Sequence, residues 1–221
     1  MTIRPDDFDK FECRTVIKGS ITNKTQLHIG SGTKAEKYDN PIIRTSIRGE
    51  SVPYIPGSSL KGVIRGYTER LIEDHSDKQL IINYIFGNSD DSLRVKGHAS
   101  FSDCLPLQPV MTETKPGVAI DAITGAASHG MKYELETIAP STQFSFQLVL
   151  ENIDLREETI ISKVLKLVLR ELSRGNIAIG GKTSAGLGVV HLDVERIEVL
   201  TKESVRSLEL QYRDITSEIQ L

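Results

Sequence analysis

The C-terminal half of the chain constrains the fold most, because its apolar residues follow two different periods in turn. Residues 142–150, TQFSFQLVL, alternate apolar and polar side chains, which predicts a half-buried strand. Residues 157–173 repeat their apolar side chains at helical spacing, and a glycine loop at 175–188 separates this helix from a strand predicted over 187–199. A strand, helix and strand in this order indicate a mixed α+β domain.

The N-terminal half predicts the matching elements. Residues 11–29 have the composition of a strand with a possible turn at 22–24, and residues 33–57 predict a long loop with short extended pieces. A helix with an apolar stripe begins after Pro56-Gly57, where either Ser58 or Ser59 could cap it.

A shorter helix over 77–85 and a strand at 98–105 follow, and residues 106–139 have the turn-rich composition of an extended hairpin or arm. The order of elements fits a ferredoxin-like β-α-β-β-α-β core. We therefore predict a single domain over residues 1–200, with the 106–139 insertion, and a C-terminal extension at 201–221.

Composition limits the class of protein. The chain has 221 residues, of which 38% are hydrophobic and 26% charged, values typical of a globular domain. It contains no run of 18 apolar residues that could cross a membrane, and its start lacks the apolar core of a signal peptide. Cys13 and Cys104 are the only cysteines, which favours reduced thiols and a cytoplasmic location.

Charge is distributed unevenly along the chain. The net charge is −3, but residues 14–70 hold ten Lys or Arg against four Asp or Glu, a local +6 that leaves −9 for the rest. Such a cluster indicates a polyanionic partner, since the local field steers phosphate more than the net charge does. Chance clustering on solvated faces is the alternative interpretation.

The glycine loop ends in Gly181-Lys182-Thr183, which superficially matches a nucleotide-binding P-loop. That motif needs a glycine where this chain has Asn176, and it needs a helix after the loop, which the later glycines disfavour. We therefore exclude an ATPase. The remaining hypothesis is a backbone phosphate contact through Gly181, Lys182, Thr183 and Ser184, against the alternative of a flexible turn.

Two side chains near the long loop are candidates for chemistry or binding. His28 precedes Gly30-Ser31-Gly32 and could contact a phosphate or a 2′-hydroxyl, although a structural histidine is the alternative. Asp39 precedes Asn40-Pro41, where an Asx-type turn is the alternative. An ordinary aspartate is a poor general base near neutral pH, so holding a divalent ion or fixing substrate geometry suits Asp39 better.

Five motifs in one order resemble a known family. LHIGSG, DNPIIR, PYIPGSSLKGVIR, IDAITGAASHG with YELETIAPSTQFSF, and GNIAIGGKTSAGLG together resemble the RAMP superfamily, in particular the repeated backbone subunit of type III CRISPR–Cas effector complexes. The resemblance covers roughly residues 14–195.

The resemblance implies a modified ferredoxin-like (RRM-like) core with a protruding β-hairpin thumb, within residues 106–139 here. It implies partners as well: a CRISPR guide RNA, a target RNA, copies of the chain in a filament and other type III subunits. Thumbs of this family displace one nucleotide at six-nucleotide intervals, and Ile123, Met131 and Tyr133 are the candidate wedges.

The resemblance also implies a chemistry. The family's catalytic aspartate matches Asp39 and works with a divalent cation, Mg²⁺ or Mn²⁺, while the ribose 2′-hydroxyl attacks in line. Holding a nucleotide in that geometry can supply about 7–11 kcal/mol. Guide pairing reads the sequence, so the protein needs only phosphate contacts. The candidates for these are His28, Arg44, Ser58, Ser59, Lys61, Arg65 and the 181–184 loop.

Thr45 is a departure from the pattern, since relatives often carry another aspartate at that position. The expected function is a metal-dependent endoribonuclease that acts within an assembled complex. A non-catalytic RNA-binding subunit of the same complex is the alternative, and a guide-processing endonuclease of the same superfamily is a third.

Overall fold

The computed structural model describes residue 8 and residues 10–33, 40–88, 95–120 and 127–221, with the side chains of 118–120 and 127–132 left out of the description. Asp39 and Ile123 therefore lie outside the described residues, and so does the side chain of Met131. Within the described part of the chain, no helix has the length and apolar character needed to span a bilayer.

The elements follow in chain order as β1 (Cys13–Asn23), β2 (Arg44–Ile47), β3 (Glu50–Pro53), α1 (Gly57–Leu71), α2 (Lys78–Phe86), β4 (Gly87–Asn88), β5 (Val95–Lys96), β6 (Ala99–Phe101), β7 (Thr112–Ile120), β8 (Ala127–Ile138), β9 (Gln143–Glu151), α3 (Ile160–Ser173), β10 (Val190–Thr201), α4 (Lys202–Arg206) and β11 (Arg213–Asp214).

Five strands form one antiparallel sheet in the order β11-β10-β1-β9-β6. β1 is its centre, and the register places Ile17 opposite both Leu148 and Ile197. All three side chains are buried, so one face of the sheet forms the core. The sheet bulges after Lys18, where Gly19 lies so close to the Asp193 carbonyl that a Cβ has no room.

Helices α1 and α3 pack on the sheet and on each other. α3 buries an apolar stripe and begins at Thr159, whose hydroxyl accepts a hydrogen bond from the Ser162 amide. The prediction that Ser58 or Ser59 caps α1 is wrong. Pro56 occupies the cap position and the Asp103 carboxylate accepts the Gly57 N–H at 2.8 Å, a capping partner far away in sequence.

The strongly periodic segments match their predictions closely. β9 coincides with the predicted 142–150 strand within a residue at each end, and α2 likewise with the 77–85 helix. β6 is shorter than the predicted strand, yet pairing with β9 continues beyond it: Ser145 donates to the Leu105 carbonyl at 2.8 Å, and Leu107 donates to the Gln143 carbonyl at 2.9 Å.

Residues after 200 belong to the same core. β11 pairs with β10 and adds a fifth strand that the sequence did not predict. Ile215 and Ile219 then turn inward and are buried in the main hydrophobic cluster. The C-terminal segment is thereby packed against the domain through apolar contacts.

Three two-stranded antiparallel sheets complete the strands that the structure describes. β2 pairs with β3, β4 pairs with β5, and β7 pairs with β8. The β7–β8 pair falls within the 106–139 segment for which an extended arm was predicted. Its base is tied to the core, because Leu27 and Ile138 exchange backbone hydrogen bonds at 3.0 and 2.8 Å.

Both cysteines are buried, and burial is the main reason why the pKa of each thiol rises to about 12, with nearby carboxylates adding to the effect. Only thiolate reacts rapidly with disulfide reagents. We therefore expect no reaction of native protein with an aromatic disulfide at pH 8, and two equivalents after denaturation. Fast reaction of either thiol in the native state would contradict this packing.

Candidate nucleic-acid interface

A buried carboxylate in β8 joins the base of the β7–β8 hairpin to the segment that follows Asp39. Glu136 accepts hydrogen bonds from both terminal nitrogens of Arg44, at 2.9 and 2.6 Å, and from the Ile42 amide at 3.1 Å. Its side chain is only 5% exposed. Two parallel hydrogen bonds between a guanidinium and a carboxylate fix the planes of both groups as well as their separation.

The residues just after Asp39 are also held by backbone contacts with two other segments. The backbone of Asn40 forms an isolated β-bridge with Leu135 of β8, and the backbone of Ile42 forms one with Gly30 on the other side. A Cβ on Gly30 would come within 2.7 Å of the Asn40 amide oxygen, so Gly30 permits that close approach. Asp39 itself is outside the described residues, but its next neighbour is held from two sides.

The backbone just before the predicted 33–57 loop is paired with the backbone of residues inside that loop. The Ser31 amide donates to the Pro41 carbonyl at 2.9 Å, and the Ile43 amide donates to the Ile29 carbonyl at 2.8 Å. The predicted loop is therefore held against residues 29–31 at residues 41–43. Its later part contains the β2–β3 hairpin.

His28 lies at the same place and is buried. Its Nδ1 is 2.7 Å from the backbone carbonyl of Glu136, which can only accept, so Nδ1 carries the proton. In the neutral ring Nε2 is then an acceptor, and it has no hydrogen-bond partner among the described residues. His28 is buried, and in this structure it links β8 to the LHIGSG segment.

The glycine loop packs directly on His28. The Gly181 amide donates to the His28 carbonyl at 2.8 Å, and Gly180, at φ +83°, approaches that carbonyl too closely for any side chain. Lys182 adopts a left-handed conformation and begins a short exposed 3₁₀ turn over Thr183–Ala185. Thr183 and Ser184 are thus presented at the surface beside a fixed anchor.

Tyr133 connects this loop to the hairpin. Its ring covers Gly117, its partner on β7, where a Cβ would collide with it. The Lys182 ammonium lies 4.9 Å from the centre of the same ring. The tyrosine predicted as a wedge therefore packs in the stem of the hairpin and touches the glycine loop.

The remaining predicted contacts lie on α1. The Arg65 guanidinium donates hydrogen bonds to the Glu69 carboxylate, at 2.9 Å, and to the Gly87 carbonyl, also at 2.9 Å. Lys61, one turn earlier, has its pKa lowered by partial burial and by the charge of Arg65. Ser58 is exposed in the first turn and Ser59 is half-buried. Lys61 and Ser58 remain the α1 groups best placed for a phosphate.

The structure gives one constraint on a metal site. In the described ranges no three His, Cys, Asp or Glu side chains lie close enough together to hold a metal ion. Glu136, the buried carboxylate of this region, is occupied by Arg44 and the Ile42 amide. Mg²⁺ often binds through one or two carboxylates and substrate phosphate oxygens, and Asp39 with such oxygens would fit that set of ligands.

Glu136 is the residue of this cluster that the sequence analysis missed. It lies in YELETIAP, where acidic and apolar residues alternate, so the pattern predicts an exposed acid on a half-buried strand. An acid in the arm and an arginine in DNPIIR could have been predicted to pair. The sequence does not show which acid and arginine meet when they lie so far apart.

These features match one protein family. A model of the RAMP superfamily matches residues 20–191, which is most of the chain. The chain belongs to the RAMP superfamily. This membership confirms the resemblance found in the motifs.

Individual relatives agree with this membership. The CRISPR system Cms endoribonuclease Csm3 of Streptococcus thermophilus is 32% identical over 189 residues, covering 77% of this chain and 83% of the relative. The CRISPR system CMR subunit Cmr6 of Saccharolobus solfataricus is 27% identical over 198 residues, covering 84% of this chain and 60% of the relative.

Solved structures share the fold. A chain of the apo type III-B Cmr-beta complex matches with a TM-score of 0.60 at 15% identity, covering 81% of this chain and 97% of that chain. A chain of the same complex bound to cognate target RNA matches with a TM-score of 0.58 at 16% identity, covering 81% and 96%.

The Arg44–Glu136 pair makes a direct prediction about stability. Arg44→Ala leaves a buried carboxylate without its main partner, so the free energy of unfolding in urea should fall by about 1–3 kcal/mol. Adding Glu136→Gln removes the buried charge, so the double variant should lose less than the sum of the single losses. Strict additivity, within about 0.5 kcal/mol, would show that the two residues are not coupled.

Proposed function

We propose that this chain is an RNA-binding subunit of a type III CRISPR effector complex and that it cleaves target RNA paired to the guide. The observation that carries the proposal is the set of hydrogen bonds from Arg44 and the Ile42 amide to Glu136, which fixes the segment just after Asp39 against the base of the β7–β8 hairpin. The 32% identity to a protein named an endoribonuclease supports the same function.

The fold supports a ferredoxin-like assignment of the core. Without the added β11, the strand order β10-β1-β9-β6 places the first and third strands of a β-α-β-β-α-β unit in the centre and its last and second strands at the edges, as in a ferredoxin-like core. We further propose that the β7–β8 hairpin is the thumb. Tyr133 supports its stem, and the wedge would be a residue nearer the turn, with Ile123 and Met131 the candidates.

The proposed chemistry is attack of a ribose 2′-hydroxyl on the adjacent phosphate at each displaced nucleotide. The phosphate contacts would come from the 181–184 loop, Ser58 and Lys61, while Arg44 acts through Glu136 on the position of the backbone. Asp39 would hold a divalent ion together with phosphate oxygens, and the ion would stabilise the charge that develops on them. Thumbs spaced along the guide would set cuts six nucleotides apart.

A non-catalytic, RNA-binding subunit is the second candidate. The observation that favours it is the similarity to Cmr6, whose name describes a subunit and no nuclease, over 84% of this chain. The two candidates share the phosphate contacts and differ only in the role of Asp39.

Replacement of Asp39 separates these candidates. We expect the assembled complex with Mg²⁺ to cut complementary RNA into fragments six nucleotides apart, and Asp39→Ala to abolish these fragments while guide binding stays unchanged. Glu50→Ala, at an exposed acid of the β2–β3 hairpin, is the matched control and should cut normally. Cutting that persists in Asp39→Ala would leave the RNA-binding candidate and move the chemistry elsewhere.

The phosphate contact of Lys61 has a signature in salt. Lys61→Ala should weaken binding to all single-stranded RNAs alike and reduce the slope of log affinity against log salt by about 0.7. Lys163→Ala, on the exposed face of α3, is the control and should leave the slope unchanged. Weaker binding to one RNA sequence only would argue against a phosphate contact.

A further inference from the structure

Lys182 holds a strained position in the glycine loop. Its backbone has φ +59°, in the left-handed region that Gly180, Gly186 and Gly188 also adopt in the same loop. A glycine takes this conformation without strain, whereas a lysine takes it at a cost in free energy. Strained residues of this kind concentrate at binding and active sites, so the Lys182 side chain is the feature to explain.

The Lys182 ammonium has an aromatic partner and no acidic one. It lies over the Tyr133 ring, 4.9 Å from the ring centre. Within the described ranges no carboxylate pairs with it, in contrast to Arg44, which pairs with Glu136. A phosphate would therefore meet no competing acid at Lys182.

Tyr133 forms a flat platform in the stem of the β7–β8 hairpin. One face of its ring covers Gly117, its partner on β7, where a Cβ would collide with the ring. Glycine in a strand leaves room for such a close approach. The ammonium lies over the opposite face, and the tyrosine is only half-buried. The strand therefore supports one face, and a single flexible side chain covers the other.

The loop that carries Lys182 is anchored on both sides, so its side chain can move while its backbone stays in place. The Gly181 amide donates to the His28 carbonyl, and the Gly188 amide donates to the Gln26 carbonyl, each at 2.8 Å. Lysine has a flexible four-carbon stem with a compact charge at its end. Movement of the ammonium away from the ring therefore needs only side-chain rotations.

A phosphate is a stronger partner for this ammonium than the ring is. A cation over an exposed aromatic face gains little, whereas hydrogen bonds between an ammonium and a phosphate are charge-assisted. Thr183 and Ser184 are exposed beside it and add hydroxyl donors for the same phosphate. A nucleotide that binds this loop would draw the ammonium away from Tyr133 and uncover the ring.

We infer that Tyr133 and Lys182 form a nucleobase subsite that opens by exchange of partners. In the free chain the ammonium covers the ring. With single-stranded RNA bound, the ammonium contacts a phosphate and one unpaired base stacks on the vacated face. The inference rests on the proposed function, because it requires that the chain binds RNA. It adds a base contact in the stem of the hairpin, separate from a wedge near the turn, and every base has the aromatic face that such a contact needs.

A single tryptophan reports on this subsite, because the chain contains none. The emission of full-length Tyr133→Trp is measured with an oligouridylate and, separately, with inorganic polyphosphate. We expect the oligouridylate to lower the emission by about half or more through stacking, and polyphosphate, which carries no bases, to cause much less change. Tyr212→Trp, at an exposed tyrosine beside β11, is the matched control and should change equally little with both probes.

Affinities test the same subsite without a reporter. Tyr133→Phe should bind the oligouridylate like wild type, while Tyr133→Leu should bind it about fivefold or more weakly, the effect of one lost base–aromatic stack. Tyr133→Leu should bind an abasic ribose-phosphate oligomer of the same length no more weakly than wild type does. An equal loss for both oligomers would mean that the ring only supports the hairpin, and it would overturn the subsite.

Lys182→Gly tests the exchange itself, since it removes the ammonium together with the backbone strain. We expect it to unfold at a temperature close to that of wild type. It should bind the abasic oligomer more weakly, with a slope of log affinity against log salt that is smaller by about 0.7. An unchanged affinity and slope would show that the ammonium contacts no phosphate and would overturn the exchange.

Failure of the subsite and failure of the proposed function give different results. RNA binding is followed by gel shift in the same samples. An oligouridylate that binds, yet lowers the emission of Tyr133→Trp no more than polyphosphate does, overturns the subsite and leaves the RNA-binding function standing. Absence of RNA binding in wild type and variants alike refutes the proposed function and the subsite with it.

Discussion

The contact between Glu136 and Arg44 organises the candidate nucleic-acid interface of this protein. Three segments that are far apart in sequence meet at one carboxyl-bearing residue: the carboxylate holds residues 42–44, and the backbone carbonyl of the same residue holds His28. His28 in turn supports the glycine loop through its own carbonyl. An acid this deeply buried is tolerated because both of its carboxylate oxygens accept hydrogen bonds and one donor group is positively charged.

The fold was predictable wherever the signal is local. β9 and α3 follow from periodicity, because a half-buried strand or helix needs its apolar residues at fixed spacing whatever it packs against. β11 and the cap of α1 were not predictable. A two-residue strand has no period, and the Asp103 carboxylate that caps Gly57 is far from it in sequence. Both depend on the tertiary structure.

The candidate site was predictable in its backbone and less so in its side chains. LHIGSG and the 181–184 loop were both predicted to belong to the site, and Gly180 does bring the two backbones together, while Gly30 leaves room for the Asn40 side chain. Arg44, predicted to contact phosphate, forms an ion pair with the buried carboxylate of Glu136. A sequence shows that an arginine is present, but its partner is chosen by strands that meet only after folding.

The same argument revises the meaning of the basic stretch at 14–70. Part of its positive charge is neutralised by acids from outside that stretch, as in the pairs Arg14–Glu151, Lys18–Glu198 and Arg44–Glu136. The positive charge available to a phosphate is therefore smaller than the composition of residues 14–70 implies. Lys61 is different, since burial and Arg65 both disfavour its protonated form and lower its pKa. A phosphate beside Lys61 would favour the protonated ammonium and so raise its pKa again.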